Sequence, residues 1–372
     1  MKVLLLASLT SETGNFSTAE RIQKCLGDCN IECWLQCISS FSDCVSVTKF
    51  VHAHDFRCVI GIHAWRAGRL LLDCPVPFAI IFGGTDLNEH KKDKEKFEAM
   101  RKVVVKASYL VAFSRPMKKQ ATALWPRSEE KFILQPQAVC VGPSNFQLHD
   151  HLKHLIKPLS HCPVINGMYM CQDPEYFDLI VFMLVAGLRR VKDPLFLAAS
   201  IAEWHKEDRR IHLVIVGPEL DTEFAREVKS ELRSYPGVVL MPSLPACDLH
   251  AAIQDCFAVV NSSSSEGMAS AILESMKLGV PVLARNIPGN SAVIQHGESG
   301  LLFDTPQEFV SLSKELLNTP SLRTRLINNA KTYVSEHHSI ENERNTYEWL
   351  VEKLASLEHG KRTISLENSD ER

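Results

Sequence analysis

The fold is decided by residues 257–274, FAVVNSSSSEGMASAILE, in which an apolar run, a polar loop and a helical pattern follow one another. Residues 257–260 have the length and apolar character of a buried strand, and residues 268–278 repeat apolar positions at the helical period. A buried strand followed by a short polar loop and a helix is the unit from which parallel sheets covered by helices are built.

The same unit recurs on both sides of this stretch. In the first half the sequence predicts strands at 3–9, 31–37, 58–62, 78–82, 109–113 and 131–134, with helices at 17–26, 44–53, 93–107 and 116–125. In the second half it predicts strands at 179–185, 212–216, 238–240, 257–260 and 280–284, with helices at 194–205, 223–234, 248–255 and 268–278. The predicted fold class is therefore α/β, with two successive Rossmann-like, doubly wound domains.

The restart of the pattern places the domain boundary near residue 175. We expect an N-terminal domain over 1–175, whose proline-containing stretch 142–178 is an insertion leading into a linker, and a C-terminal domain over 176–338. A helical segment over 339–358 is expected to pack back on the first domain. The polar tail 359–372 is expected to be disordered.

Composition excludes several classes of protein. Hydrophobic residues make up 45% and charged residues 23% of the 372-residue chain, which suits a folded core. The net charge of -3 argues against a nucleic-acid partner. The longest apolar run, residues 179–188, is about half of a membrane span. The apolar N-terminus is predicted to be a first buried strand and the protein cytoplasmic; the alternative is a secreted protein in which residues 1–20 act as a signal peptide.

The loop after strand 257–260 carries two candidate ligand-binding carboxylates. Glu266 lies at the expected helix entrance and Glu274 eight residues later, about 12 Å along a helix axis. The backbone N–H groups of Gly267, Met268 and Ala269 would lie at the positive helix end, which suits a diphosphate. The alternative is an ordinary acidic first turn with a solvent-facing Glu274.

Two further loops at strand ends are candidates for the same ligand. Arg189 and Lys192, after strand 179–185, would bring cations to a phosphate, or form only a basic surface cluster. Gly217 follows strand 212–216, where a glycine allows a ligand to approach the backbone closely.

These segments, in this order, resemble the second domain of family 4 glycosyltransferases. The likeness is carried by residues 187–194, 214–219, 263–274, 279–283, 287–290 and 297–303, and by the spacing of seven residues between Glu266 and Glu274. The resemblance implies a GT-B fold, with two Rossmann-like domains facing across a cleft. It also implies a nucleotide diphospho-sugar donor and transfer with retention of anomeric configuration.

The resemblance also implies roles for individual residues. Glu274 would bind ribose hydroxyls and Glu266 donor-sugar hydroxyls, while Arg189 and Lys192 would stabilise the departing nucleoside diphosphate. The remaining donor-binding candidates are Gly14 and Asn15 near the phosphates across the cleft, Gly217, and the backbone of Gly267, Met268 and Ala269. No D-x-D motif and no C-x-x-C pair occur, so we expect no metal and no cofactor beyond the sugar nucleotide as substrate.

One departure from the family pattern concerns the first domain. A histidine expected after strand 78–82 is replaced by Gly83 and Gly84. His63, at the end of the neighbouring strand, would substitute for it catalytically, or merely satisfy that strand end. Asp86 would bond an acceptor hydroxyl, or cap the next helix; the sequence does not choose between these.

The leading hypothesis is a metal-independent, retaining glycosyltransferase of the hexosyltransferase type, with a nucleotide-sugar donor and an unknown acceptor. The alternatives are a catalytically weak or inactive GT-B protein that binds nucleotide or a partner, and a nucleotide-sugar epimerase. The sequence indicates no oligomeric state. Two N-x-[ST] sequons, at Asn15 and Asn261, fall in loops assigned to the ligand, which favours the cytoplasm.

Overall fold

The computed structural model describes residues 1–10, 13–156, 164–165, 168–169 and 179–367. These residues form two compact units. The first contains Met1–Ala138, Glu266–Met268 and the chain from His337 onward, and the second contains Val139–Ser265 and Ala269–Glu336.

The first unit is built on a six-stranded sheet in which every neighbouring pair is parallel. Its strands are β1 (Lys2–Ala7), β2 (Glu32–Cys37), β3 (Cys58–Ile62), β4 (Phe78–Ile81), β5 (Tyr109–Ala112) and β6 (Phe132–Leu134), in the order β2-β1-β3-β4-β5-β6. The interior strands β1, β3 and β4 are almost wholly buried, which explains why their sequences are unbroken apolar runs.

Helices follow the strands of this sheet. They are α1 (Gly14–Asp28), α2 (Cys44–Ala53), α3 (Gly84–Asn88), α4 (Lys94–Lys106) and α5 (Arg115–Leu124). Several begin at a side-chain cap: Thr13 accepts the N–H of Phe16, Asp43 that of Ser46, and Ser114 that of Met117. Helix α1 therefore begins at Gly14, three residues earlier than predicted.

The second unit repeats the plan with another six-stranded parallel sheet. Its strands are β9 (Ile180–Val185), β10 (Ile211–Val216), β11 (Val238–Met241), β12 (Ala258–Asn261), β13 (Val282–Arg285) and β14 (Leu301–Phe303), in the order β11-β10-β9-β12-β13-β14. Before them lies a short antiparallel pair, β7 (Val164–Ile165) with β8 (Met168–Tyr169). Strand β14 is an edge strand that the sequence analysis did not predict.

Eight helices complete the second unit within the described residues. They are α6 (Leu148–Leu155), α7 (Ala198–Glu207), α8 (Thr222–Leu232), α9 (Ala246–Asp255), α10 (Ser270–Leu278), α11 (Pro288–Ser291), α12 (Pro306–Asn318) and α13 (Pro320–His337, whose last residue belongs to the first unit). Helix α10 ends at Gly279, whose φ of 79° is the left-handed conformation favoured at helix ends.

The units divide at Ala138 and Val139, so the predicted boundary near residue 175 is wrong. The reason is α6, which was expected to be part of an irregular insertion. Leu148 and Leu152 of this helix are buried in the core of the second unit, and His149 pairs with Asp255 of α9. Of the predicted insertion and linker at 142–178, residues 157–163, 166–167 and 170–178 lie outside the described residues.

The C-terminal helix α14 (Ile340–Glu367) lies in the first unit. Tyr347, Leu350 and Leu354 are buried in that unit's core, and Glu343 is paired with Arg21 of α1 at 2.6 Å. The helix continues beyond residue 358, so the expectation of disorder is wrong for 359–367, while 368–372 lie outside the described residues. Among the residues described, no helix has the length and apolar character needed to cross a membrane.

Candidate functional site

In the second unit, the predicted ligand-binding loops leave the sheet at one place. The strand order reverses between β9 and β12, because the chain adds β10 and β11 on one side and β13 and β14 on the other. Ligands of doubly wound sheets bind beyond the carboxyl ends of the strands at such a reversal. The loop with Arg189 and Lys192 follows β9, and the serine-rich loop follows β12.

These two loops are joined by direct hydrogen bonds. The backbone N–H and the hydroxyl of Ser264 both donate to the carbonyl of Val191, at 2.9 and 3.1 Å. The hydroxyl of Ser262, which is fully buried, donates to the carbonyl of Lys192 at 3.0 Å. The structure therefore brings together two segments that are about seventy residues apart in sequence, in agreement with the prediction that they serve one site.

The cations of the basic loop are not equivalent. Arg190 is mostly exposed and pairs with Glu227 at 2.9 Å, so its charge is already compensated. Arg189 is half-buried, and its Nε is buried without a hydrogen-bond partner among the described residues. A buried guanidinium N–H without a partner is costly unless a ligand supplies an acceptor. Arg189 is therefore the cation of this loop that is best prepared for an anion.

Arg285, which the sequence analysis missed, clamps the basic loop. It is the last residue of β13 and donates from Nη1 to Asp193 at 3.0 Å and to the carbonyl of Ser262 at 3.4 Å. Its guanidinium also lies 4.0 Å from the ring centre of Phe196. Asp193 itself has a φ of 45°, a left-handed conformation that is uncommon for a residue other than glycine. The loop is thus held in one strained conformation.

A buried amide pair supports the start of the serine-rich loop. Asn261 Oδ1 accepts the N–H of Ser263 at 3.2 Å and Nδ2 of Asn290 at 3.1 Å. Asn290 also donates to the carbonyl of Arg285 at 2.9 Å, so the loops after β12 and β13 share one network. Asn261 and Asn290 are both almost fully buried.

The two carboxylates of the predicted site occupy different kinds of backbone. Glu274 lies within α10, but the helix begins only at Ser270, after Ala269 as its N-cap. Glu266 and the backbone of Gly267 and Met268 therefore precede the helix. The expectation that Glu266 lies at the helix entrance, about 12 Å from Glu274 along one axis, is wrong.

Glu274 has a histidine neighbour that the sequence did not indicate. His250 of α9 places Nε2 3.9 Å from Oε2 of Glu274. Its Nδ1 accepts the backbone N–H of Gly142 at 3.2 Å, so the proton of the neutral ring is on Nε2, facing the carboxylate. Burial lowers the pKa of His250 and favours that neutral form.

Gly217 is explained by the packing of the sheet itself. A methyl group on this residue would lie 2.3 Å from the carbonyl oxygen of Ala186, at the end of the adjacent strand β9. The glycine is therefore needed for close approach between two strand ends, whether or not a ligand lies nearby.

The first unit carries a separate polar cluster at its own reversal of strand order. This reversal lies between β1 and β3; Gly14 and Asn15 follow β1 as the first residues of α1, and His63 follows β3. Nε2 of His63 lies 3.0 Å from Oδ1 of Asn15, and Nδ1 lies 3.2 Å from Oδ2 of Asp86. His63 is almost fully buried and has a φ of 75°, a strained conformation of the kind found at functional sites.

Position 83 and the His63 ring occupy the same volume. A methyl group on Gly83 would lie 1.8 Å from Cε1 of His63. The glycine that replaces the expected histidine is thus the residue that makes room for another histidine, supplied by the neighbouring strand. This favours the interpretation in which His63 substitutes for the missing side chain.

Asp86 is fully buried and serves as a cap for backbone groups. Its Oδ2 accepts the N–H groups of Ala64 at 2.9 Å and Gly83 at 3.0 Å, and its Oδ1 accepts that of Trp65 at 3.1 Å. The structure therefore favours the capping alternative over contact with an acceptor hydroxyl. Burial alone raises the pKa of Asp86, but His63 and these backbone donors outweigh it, so the pKa lies below its ordinary value.

The lowered pKa of Asp86 predicts a loss of stability in acid. A carboxyl whose pKa is lower in the folded state contributes stability above its unfolded pKa, about 4, and loses that contribution as the pH falls through the folded value. In urea unfolding from pH 6 to pH 2, we expect Asp86→Asn to flatten the decrease in unfolding free energy below pH 4. The exposed Asp28→Asn is the control, and an equal flattening in both variants would contradict the assignment.

Metal ligation has no obvious site in the described part of the chain, where no three or more histidine, cysteine, aspartate or glutamate side chains are grouped to hold an ion. The described cysteines are free thiols, and burial raises the pKa of Cys33 to about 12.

Comparison with known proteins identifies relatives over most of the chain. A sequence model of the family "Glycosyl transferases group 1" matches residues 174–333. The chain is 42% identical, over 354 residues, to glycosyltransferase 1 domain-containing protein 1 of Xenopus tropicalis, covering 95% of this chain and 98% of that protein. This confirms the resemblance inferred from the loop motifs.

Solved structures with the same architecture share little sequence identity. Anabaena Alr3699/HepE in complex with UDP and glucose has a TM-score of 0.73 at 15% identity, covering 96% of this chain and 100% of that one. Sucrose-phosphate synthase from Thermosynechococcus elongatus has a TM-score of 0.75 at 13% identity, covering 96% and 100%. At this identity the likeness concerns the fold alone, and it confirms the predicted GT-B class.

Proposed function

The chain belongs to the glycosyl transferases group 1 family and is a glycosyltransferase, and we propose that it moves a sugar from a nucleotide diphospho-sugar to an acceptor with retention of configuration. The observation that carries the donor assignment is the joined pair of loops after β9 and β12. They present Nε of Arg189, which is buried without a hydrogen-bond partner among the described residues, at the reversal of the sheet, where a nucleotide is expected to bind.

The charge of the site supports this chemistry. Breaking the bond to the donor sugar leaves negative charge on the nucleoside diphosphate, and fixed cations that are shielded from water stabilise such charge strongly. We assign this role to Arg189 and Lys192, so the proposed reaction requires no metal ion and no cofactor. Glu274 would accept hydrogen bonds from the ribose, and Glu266 from the donor sugar. The backbone of Gly14, Gly267, Met268 and Ala269 would contribute donors.

Binding without catalysis is the main rival proposal. It rested on the glycine at position 83, and the position of the His63 ring weakens that argument. A nucleotide-sugar epimerase would use the same donor loops and is distinguished only by its product. The acceptor stays open, because Asp86, the one acceptor-side candidate, is buried among backbone donors.

The deciding experiment is a donor screen on the full chain. Thermal shift with UDP-, GDP- and ADP-sugars selects the nucleotide, beginning with UDP because HepE was crystallised with it. Donor hydrolysis and transfer to a panel of hydroxyl acceptors are then followed by NMR, which also shows the anomeric configuration of the product. Binding with neither hydrolysis nor transfer would favour the non-catalytic alternative, and an epimerised donor would favour the epimerase.

Metal independence gives a simple further prediction. Because side-chain cations are proposed to stabilise the leaving diphosphate, adding EDTA is expected to change the rate of transfer by less than about twofold. If a metal ion supplied this stabilisation, its removal should lower kcat about 100-fold or more, as the loss of one electrostatic group in an active site does. A loss of activity with EDTA that Mg²⁺ or Mn²⁺ restores would contradict the proposal.

We also propose a cytoplasmic location. The two sequon asparagines are engaged within the fold, since Asn261 is buried and bonded to Asn290, and Asn15 is bonded to His63. Asn261 would not be available for an attached glycan without rearrangement of a candidate ligand-binding loop, and a glycan on Asn15 would occupy the place that we assign to the donor.

A further inference from the structure

A chain of three hydrogen-bonded side chains runs from the core of the first unit to the start of α1. Asp86 contacts Nδ1 of His63 at 3.2 Å, and Nε2 of His63 contacts Oδ1 of Asn15 at 3.0 Å. We propose that Asp86 and His63 are positioning residues that aim the carboxamide of Asn15 at an oxygen atom of the substrate. The inference rests on the proposed function and adds to it a mechanism within the first unit.

The arrangement is costly in the absence of a function. His63 has a left-handed backbone with a φ of 75°, which disfavours a residue with a side chain. Asp86 has no exposed surface, and burying a carboxylate is unfavourable even when it is paired. Asp86 is explained in part by the three backbone N–H groups that it accepts, but the strained backbone of His63 is not required by packing and indicates a role for its ring.

The contact between His63 and Asn15 determines which end of the Asn15 carboxamide faces away from the ring. A carboxylate only accepts hydrogen bonds, so Nδ1 of His63 donates to Asp86 in the tautomer that has its proton on that nitrogen. The hydroxyl of Thr85 also lies 3.2 Å from that nitrogen. Nε2 of His63 faces Oδ1, the accepting end of the Asn15 carboxamide, at 3.0 Å. The opposite end of the carboxamide, with its two N–H donors, is then turned away from His63.

The N–H end of Asn15 has room for a ligand. Asn15 is half-buried, unlike Asp86 and His63, and its Nδ2 meets no acceptor among the described residues. The preceding residue, Gly14, has no described atom within 4 Å of the position that a Cβ would take. Both residues lie in the first turn of α1, where the helix dipole favours an electronegative partner. A phosphate or hydroxyl oxygen of the substrate fits these donors.

Gly83 keeps the histidine in place. Any side chain at position 83 would overlap the His63 ring, because even a methyl group would lie 1.8 Å from Cε1. Position 83 therefore offers a way to move the ring while Asp86, His63 and Asn15 all stay chemically intact.

The first test separates positioning from folding. In His63→Asn, the asparagine tolerates a positive φ and can still donate to Asp86, but it no longer reaches Asn15 as an imidazole does. We expect a thermal midpoint within about 3 °C of wild type and a kcat about tenfold lower, the value of one hydrogen bond, with a smaller change in KM. Asn15→Asp should lower kcat similarly, and the exposed Asn328→Asp controls for the added charge.

Titration with UDP shows which part of the substrate supplies the oxygen atom that Asn15 contacts. Weaker UDP binding in Asn15→Asp would place the contact on the diphosphate, and unchanged binding with reduced kcat would place it on the sugar or the acceptor. Unchanged kcat and unchanged UDP binding in His63→Asn would overturn the proposal.

The second test is a double-mutant cycle at positions 63 and 83. Gly83→Ala should lower kcat about tenfold by displacing the imidazole. In a His63→Gly background, where glycine accepts the positive φ and the ring is gone, the same substitution should have little further effect. Additive losses would contradict the claim that position 83 acts through His63.

The third test does not depend on turnover. In ¹⁵N-histidine NMR spectra of the full chain, Asn15→Ala is expected to shift the Nε2 signal of His63, and Asp86→Asn the Nδ1 signal. If the wild-type protein acted on no sugar nucleotide, the proposed function would be wrong. The spectra would still show whether Asp86, His63 and Asn15 are joined by hydrogen bonds. A His63 spectrum that is unchanged in Asn15→Ala would refute it.

Discussion

Replacing Arg189 by alanine is expected to lower kcat by about 100- to 1,000-fold, or about 2.7–4 kcal/mol, the cost of removing one preorganised donor from a developing anion. Its Nε is buried without a partner in the described part of the chain. The substitution therefore removes a group prepared for the ligand and breaks no described hydrogen bond of that nitrogen. We expect a smaller loss of ground-state donor binding, because the diphosphate gains charge as the sugar leaves.

Arg190→Ala is the matched control for this prediction. It removes the same charge from the adjacent residue, whose guanidinium is mostly exposed and paired with Glu227. Exposed ion pairs contribute little, so kcat should stay within about threefold of wild type and stability within about 1 kcal/mol. Equal losses in the two variants would mean that the general positive charge of the loop matters rather than the position of Arg189.

Much of the fold could be predicted because strands buried on both faces have an unmistakable pattern. The predicted strand 58–62 and helix 44–53 match β3 and α2 residue for residue. Edge strand β14, which is three residues long, was not predicted. Helix α6 was missed because its polar residues surround only a narrow apolar stripe, of which Leu148 and Leu152 become buried.

The sequence predicted which loops form the candidate site, but not which side chains contact one another there. The strand–loop–helix pattern located Arg189, Lys192 and Glu274, because ligands bind where parallel strands end. The clamp from Arg285 to Asp193 joins residues ninety-two positions apart, and no local pattern marks it. The shared volume of Gly83 and His63 likewise depends on the spacing of β3 and β4, so the sequence named His63 as a candidate replacement but could not choose between its two interpretations.

Both units show the same relation between sheet order and polar clusters. In each, the strand order reverses once, and the polar side chains meet at the carboxyl ends of the two strands beside that reversal. Adjacent loops diverge to opposite faces there, which leaves space that neither loop fills. Strained residues mark both places: Asp193 beside β9, and His63 beside β3. We interpret this strain as the cost of holding polar groups ready for a ligand.

Replacing Glu274 by alanine is expected to weaken UDP binding about 10- to 100-fold. Two hydroxyl groups of a ribose that donate to one carboxylate form charge-assisted hydrogen bonds, and losing them costs about 1.5–3 kcal/mol. The carboxylate suits this role because it is partly exposed, while His250 at 3.9 Å holds its proton on the facing nitrogen. The measurement is isothermal titration with UDP at a pH near 7.

Glu266→Ala should give the opposite pattern. UDP lacks the donor sugar, so its affinity should stay within about threefold of wild type, whereas kcat with the sugar nucleotide should fall about 100-fold. This separation follows from the backbone: Glu266 precedes α10 and Glu274 lies inside it, so one helix cannot hold both carboxylates against the same part of the ligand. The exposed Glu315→Ala, on α12, controls for loss of a negative charge. If both variants lost UDP binding equally, the division between ribose and sugar would be wrong, and the two carboxylates would have to act on a common part of the nucleotide.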